Sequence, residues 1–140
     1  MCIRDSFKES GFIFAVNPSG EIDLLFEGND LIKAPNGVLV LDDSKLLIVD
    51  WAGDLLEGDL QSQDIKKLGE GFEGSDGLAI KQDTIYISSW IKGTIYSFKN
   101  GKTKVIADGF EAAADIALVH ENKFLVVPDM KAGTVTFIGI

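Results

Sequence analysis

Cysteine, histidine and basic residues are scarce in this chain, and each shortage removes a class of function. Cys2 is the single cysteine, so no internal disulfide and no cysteine-based metal site can form. His120 is the single histidine, which excludes a histidine pair for zinc and leaves no partner for a nucleophilic triad. Lys and Arg number 13 against 22 Asp and Glu, a net charge of −9. That balance argues against nucleic acid as a partner and against anionic membrane surfaces, both of which select basic footprints. No apolar run approaches the length of a bilayer span. The opening "MCIRDSFKES" has no apolar centre, so no secretory signal is visible. No glycine-rich phosphate loop or nucleophile elbow occurs. A sustained 3.6-residue apolar period is also missing.

What is present is a repeat. Hydrophobic residues make up 46% of the 140 residues, enough for one packed domain. Three segments align: "PNGVLVLDDSKLLIVDW", "SDGLAIKQDTIYISSW" and "ADIALVHENKFLVVPD". Asn36, Asp76 and Asp115 fall at offsets of 40 and 39; Asp50-Trp51 and Ser89-Trp90 lie 39 apart; Gly53, Gly93 and Gly133 are spaced by 40 and 40. Each unit alternates short apolar runs rich in branched residues with polar turns. Asn100-Gly101 between two such runs is a strong hairpin signal. "EAAADIALV" has helical propensity, but its register with the other units makes it a turn entering a strand.

Four short strands per unit of about 40 residues predict an all-β chain, a β-propeller of four-stranded blades. The Gly-His and Trp-Asp markers of WD40 repeats are absent, kelch repeats are longer, and a β-sandwich gives no reason for the period. The predicted divisions are 11–34 for the end of one blade, 35–74 and 75–113 for two whole blades, and 114–140 for a last blade lacking one strand. The strand count expected is two, four, four and three, about three blades in all. Residues 1–10 share nothing with the repeat and read as a non-native or disordered leader, consistent with a longer chain cut upstream. Further blades of the same chain are then expected partners of this arc.

The phrases "APNGVLVL" and "GSDGLAI" resemble the SMP-30/gluconolactonase family of six-bladed propellers, and "LLIVDWAGDLLEGDL" and "LLVVPDMKAGTVTFI" are closer still to its exported bacterial members. The resemblance covers Gly11 to Ile140 and corresponds to the C-terminal half of such a ring. It implies a divalent cation, typically calcium, in the central channel, with Asn36 as a ligand and Asp76 as both ligand and catalytic base. It also implies hydrolysis of lactones or small esters, a small-molecule substrate in the channel, and a periplasmic or extracellular location. The remaining family ligands would precede residue 11.

An independent physical argument points to the same residues. Inner strands of a propeller converge on its axis, so the register-equivalent Asn36, Asp76 and Asp115 are expected near one volume. Two carboxylates and an amide there call for hydration, protonation or a metal. Oxygen-only donors suit calcium, magnesium or manganese. The plainer alternative is that Asn and Asp before Gly serve turns. A non-catalytic binding propeller therefore stands beside the hydrolase, as does a metal-free structural version. Trp51 and Trp90 are expected to pack between blades, Asp50 and Asp129 to hold loops, and His120 to lie at the surface.

Overall fold

The structure is a computed structural model that describes the backbone of Cys2–Asp5 and residues 11–140. Its strands fall into four antiparallel sheets. The first holds β1 (Cys2–Asp5), β2 (Phe12–Val16) and β3 (Ile22–Phe26). The second holds β4 (Pro35–Val40), β5 (Lys45–Asp50), β6 (Leu55–Asp59) and β7 (Ile65–Gly69). The third holds β8 (Ser75–Lys81), β9 (Thr84–Ser89), β10 (Thr94–Lys99) and β11 (Lys102–Ala107). The fourth holds β12 (Ala117–Val119), β13 (Phe124–Asp129) and β14 (Thr134–Gly139). Within each sheet the strands follow chain order, as an up-and-down meander.

The all-β expectation holds among the described residues, and "EAAADIALV" enters β12 through a bridge at Ala113 rather than forming a helix. The first sheet departs from the expected two strands. Cys2–Asp5 runs antiparallel to β2, from Cys2↔Ala15 to Asp5↔Phe12, and takes the edge that two strands alone would leave open. Residues 1 and 6–10 of the expected leader lie outside the described residues.

Alternation along each strand sends side chains to two neighbouring sheets. On β5, Leu46 and Ile48 join Ile13, Phe26 and Leu56 between the first and second sheets. Leu47 and Val49 instead join Leu78, Ile85 and Ile87 between the second and third. A third core sets Ala79, Tyr86 and Ile95 against Leu125 and Val127 of the fourth sheet. A strand buried on both faces needs a continuous apolar run, which is why "LLIV" at 46–49 does not alternate with polar residues. Inter-sheet aromatic packing falls to Phe72, edge-on to Tyr96 at 5.4 Å and to Phe98 at 6.1 Å, and not to the tryptophans.

The repeated glycines mark where one sheet touches the next. A Cβ on Gly37 would stand 2.6 Å from the Asp76 carbonyl oxygen. One on Gly77 would stand 2.3 Å from Asp115 Oδ1 and 2.6 Å from both the Asp115 Cα and the Ile116 nitrogen. Gly37 and Gly77, which follow Asn36 and Asp76, thus clear space for the inner strand of the following sheet. A second contact lies where the connector to the next sheet crosses the preceding hairpin. There the Phe72 and Phe110 N–H groups donate to the Gly53 and Gly93 carbonyls at 3.0 and 3.1 Å. A Cβ at Gly93 would meet the Phe110 oxygen at 1.8 Å, while Gly133 has nothing within 4 Å.

Buried carboxylates fix the connectors, as expected for Asp50 and Asp129. Asp50, fully buried at the end of β5, accepts from the Lys33, Ala34 and Ala52 N–H groups at 2.9, 2.8 and 2.9 Å. Asp129, at the end of β13, accepts from Glu111, Ala112 and Ala132 at 2.7, 3.0 and 3.1 Å. In the third sheet Ser89 takes this place, donating to the Glu73 carbonyl at 2.6 Å and accepting from the Lys92 N–H at 3.1 Å. Burial pushes the Asp129 carboxyl up, but the N–H donors of Ala132, Glu111, Ala112 and Lys131 outweigh it and hold it below its ordinary value. Asp42 is held low by the Ser44 hydroxyl and by the Ser44 and Lys45 N–H groups, and Asp59 by the N–H groups of Ser62 and Gln61.

Two outcomes follow from these contacts. Gly77→Ala should cost about 2–3 kcal/mol, because the atoms it meets are largely backbone and cannot give way. Gly139→Ala, which meets open space, should change stability by less than about 0.5 kcal/mol. Equal urea midpoints for the two variants would contradict the close-approach argument. The lowered carboxyls of Asp129, Asp42 and Asp59 contribute stability above the ordinary carboxylate value of 3.8, and that contribution is lost as pH falls through their lower folded values. Urea midpoints should hold steady near neutrality and drop below about pH 4. Asp129→Asn should flatten that drop while lowering the neutral midpoint. A midpoint indifferent to acid contradicts this role.

Candidate functional site

The innermost strands of the second, third and fourth sheets begin at one end of those sheets, and each begins with a β-bulge. On β4, Pro35 pairs with Asp50 and Gly37 with Val49, which leaves Asn36 as the extra residue. On β8, Ser75 pairs with Ser89 and Leu78 with Ile87, so Asp76 and Gly77 together oppose Ser88. Ahead of β12, the Ala114 N–H donates to the Pro128 carbonyl at 3.0 Å and Ala117 pairs with Val126, so Asp115 and Ile116 together oppose Val127. Bulges release a residue from the ladder and re-aim its side chain, and they are common beside binding sites.

All three predicted positions therefore occupy equivalent bulged strand heads, set side by side by the contacts over Gly37 and Gly77. Their surroundings differ. Asn36 and Asp76 are half-buried, whereas Asp115 is exposed and its Oδ1 accepts from the Ile116 N–H at 3.0 Å. Asp76 also makes contacts of its own with the protein. Among the described residues no three His, Cys, Asp or Glu side chains come together as a metal-holding group. The donor row from this chain is thus two carboxylates and one amide. Calcium takes six to eight oxygens, so this row supplies a partial ligand set that waters or other blades must complete.

Two serines that the sequence did not single out hold the strand heads in place. The Ser75 hydroxyl donates to the Asp50 carbonyl at 2.7 Å, tying the third sheet to the second. The Ser88 hydroxyl accepts from the Gly77 N–H at 2.9 Å and donates to the Ala114 carbonyl at 2.7 Å, tying the third to the fourth. Both are fully buried with these bonds satisfied. The available signal was Ser88 itself, a hydroxyl at the repeat position where Val49 stands.

Apolar side chains crowd the same end. Trp51, Ile91 and Met130 follow the second strand of the second, third and fourth sheets and are 37%, 62% and 65% exposed. Trp90 is half-buried and takes the Lys131 ammonium 5.9 Å from its ring centroid. The expected packing of Trp51 and Trp90 between blades is thus replaced by an exposed ring at Trp51 and a cation–π contact at Trp90. His120 lies at the other end of the strands, exposed as expected, edge-on to Phe124 at 6.0 Å and near Phe137 at 6.5 Å. A hollow lined by Lys99, Lys102 and Lys104 at the Asn100-Gly101 hairpin shares no residue with the strand heads.

No family model matches the chain, and no curated protein matches it. Among solved structures it is similar to a chain of the crystal structure of a nidogen/laminin complex, with a TM-score of 0.76 and 14% identity over 99% of this chain. The chain spans 59% of that neighbour's length. It is also similar to the computationally designed Ika4 protein, with a TM-score of 0.61 and 15% identity, covering 96% of this chain and 87% of that one. At such identities the likeness concerns the fold alone, and it places these packed antiparallel sheets among propeller-like folds.

Proposed function

We propose that the strand-head end of the arc is a ligand-binding face whose oxygen row binds a divalent cation, calcium by preference. The observation that carries this reading is the repeated bulge, which sets Asn36, Asp76 and Asp115 at equivalent heads of neighbouring inner strands. Oxygen-only donors with two carboxylates match hard cations. The finer reading follows the resemblance to the SMP-30/gluconolactonase propellers: a six-bladed ring that hydrolyses a lactone or small ester held in the channel. A bound cation there supplies Lewis acidity toward the carbonyl. Asp76 is the residue that orients and deprotonates the attacking water, and Asn36 orients the ligand through its amide.

A second reading has its own observation. Trp51, Ile91 and Met130 put large apolar side chains in the same solvent-facing turns of successive units, a composition suited to a protein partner. The likeness to a chain from a two-protein complex is compatible with it. In that case the propeller binds without catalysis.

Calcium titration followed by thermal melting separates the readings. A cation at about 100 times its Kd adds about 2.7 kcal/mol and should raise the Tm by several degrees. Asp76→Ala should abolish that rise. Identical melting with and without calcium or magnesium removes the cation site. Lactone hydrolysis that persists in Asp76→Ala removes the catalytic role and leaves the binding reading.

A further inference from the structure

The outer part of the third sheet gathers lysines that the cation reading does not use. A hollow of about 400 Å³ opens there, lined by Thr84, Ser97, Lys99, Asn100, Lys102 and Lys104. All six belong to β9, β10, β11 and the hairpin between the last two, so the first and fourth sheets supply none of the lining.

Strand register sets these side chains on one face. Lys99 pairs with Lys102 and Ser97 with Lys104. Phe98 pairs with Ile85, which places Thr84 beside Lys99. Residues directly opposite share a face, with Cβ atoms about 5 Å apart. Ile95 and Tyr86 on the same face pack against the fourth sheet, and the lysines continue that face outward. The outer strands of neighbouring sheets splay apart. Val105, opposite Tyr96, is 57% exposed even though the second and third sheets both carry four strands. An open outer corner is thus a property of the fold.

The second sheet supplies an internal comparison. Its equivalent positions are Lys45, Glu57, Asp59, Asp64 and Lys66, with Lys45 opposite Asp59 and Glu57 opposite Lys66. Glu57 pairs with Lys45 at 3.1 Å, and the Asp59 carboxylate accepts from the Gln61 and Ser62 N–H groups. In the third sheet Ser97 replaces Glu57, while Lys99 and Lys102 replace Asp59 and Asp64. Three carboxylates have become one hydroxyl and two ammonium groups. Lys99 meets Asp83 at 3.5 Å, between two exposed side chains, and such a pair contributes little. Lys102 and Lys104 form no ion pair among the described residues. Like charges directly opposite, as at Lys99 and Lys102, destabilise a sheet, and an anion held between them relieves that cost.

We propose that this hollow binds a tetrahedral oxyanion, the phosphate or sulfate group of a small molecule. The lining offers three ammonium groups, two hydroxyls and the Asn100 amide, and no carboxylate. A doubly charged group with several acceptor oxygens answers three ammonium groups better than a single carboxylate does. The volume suits a small-molecule site. The net charge of −9 repels a long polyanion, which restricts the ligand to a small one. The site shares no residue with the strand heads and does not depend on the cation reading.

The test is an NMR titration of the labelled chain with inorganic phosphate, inorganic sulfate or acetate, each against sodium chloride at equal ionic strength. Phosphate or sulfate should give saturating shifts at the amides of Thr84 and of residues 97–104, and the tighter of the two identifies the group recognised. Lys104→Gln should weaken binding about fivefold. Lys102→Gln combined with Lys104→Gln should abolish it and leave the rest of the spectrum unchanged, because both side chains are exposed. Lys66→Gln, at the equivalent place on the second sheet, should bind as the parent does. Shifts no larger than those of chloride, equal binding of acetate, or an equal loss in Lys66→Gln overturns the proposal. Binding that survives the double substitution overturns it as well.

Discussion

Everything in this arc depends on how closely one inner strand can approach the next. At Gly37 and Gly77 the neighbouring backbone occupies the place a side chain would need. That approach brings successive sheets into register, so that alternate residues of β5 and β9 reach two cores at once. It also sets the bulged strand heads beside one another. Stability and site geometry thus share one constraint, and a methyl group at either glycine disturbs both.

The polar residues near the strand heads divide into two groups. Asp50, Asp129, Ser75 and Ser88 are buried, and their oxygen atoms are used by backbone groups of connectors and neighbouring sheets. A buried carboxylate that accepts three N–H bonds pins the chain that donates them. Asn36, Asp76 and Asp115 lie one bulge away and retain partial or full exposure. The first group is the frame, and the second is where a ligand can be met.

Much of this was legible in the residues. The 40-residue spacing of Gly53, Gly93 and Gly133 marked the units, and Asn100-Gly101, with φ of 50° and 73°, makes the expected two-residue hairpin. The holding role of Asp50 and Asp129 was also visible, because a polar residue recurring at the end of an apolar strand must be satisfied. The bulges were not legible, since one extra residue in a strand leaves no mark in composition or period. The linking role of Ser88 was hidden for a related reason: its partners come from two different sheets. Trp51 and Trp90 misled because aromatic residues at a repeat position suggest packing, whereas Phe72 on the connector already fills that space. β1 went unseen because its pairing depends on the open edge of β2 and on no pattern of its own.

The contact at Gly77 is the most direct place to test the account. In a proton NMR spectrum of the labelled chain, a Gly77 Hα should give a strong nuclear Overhauser effect to the Ile116 amide proton, because a substituent at that position points to within 2.6 Å of the Ile116 nitrogen. A Gly37 Hα should likewise lie close to residues 76–78 of the next inner strand. Strong cross-peaks at both glycines are the predicted result. Cross-peaks confined to each glycine's own sheet would contradict the account, since the inner strands would then stand apart and the strand heads would not share a site.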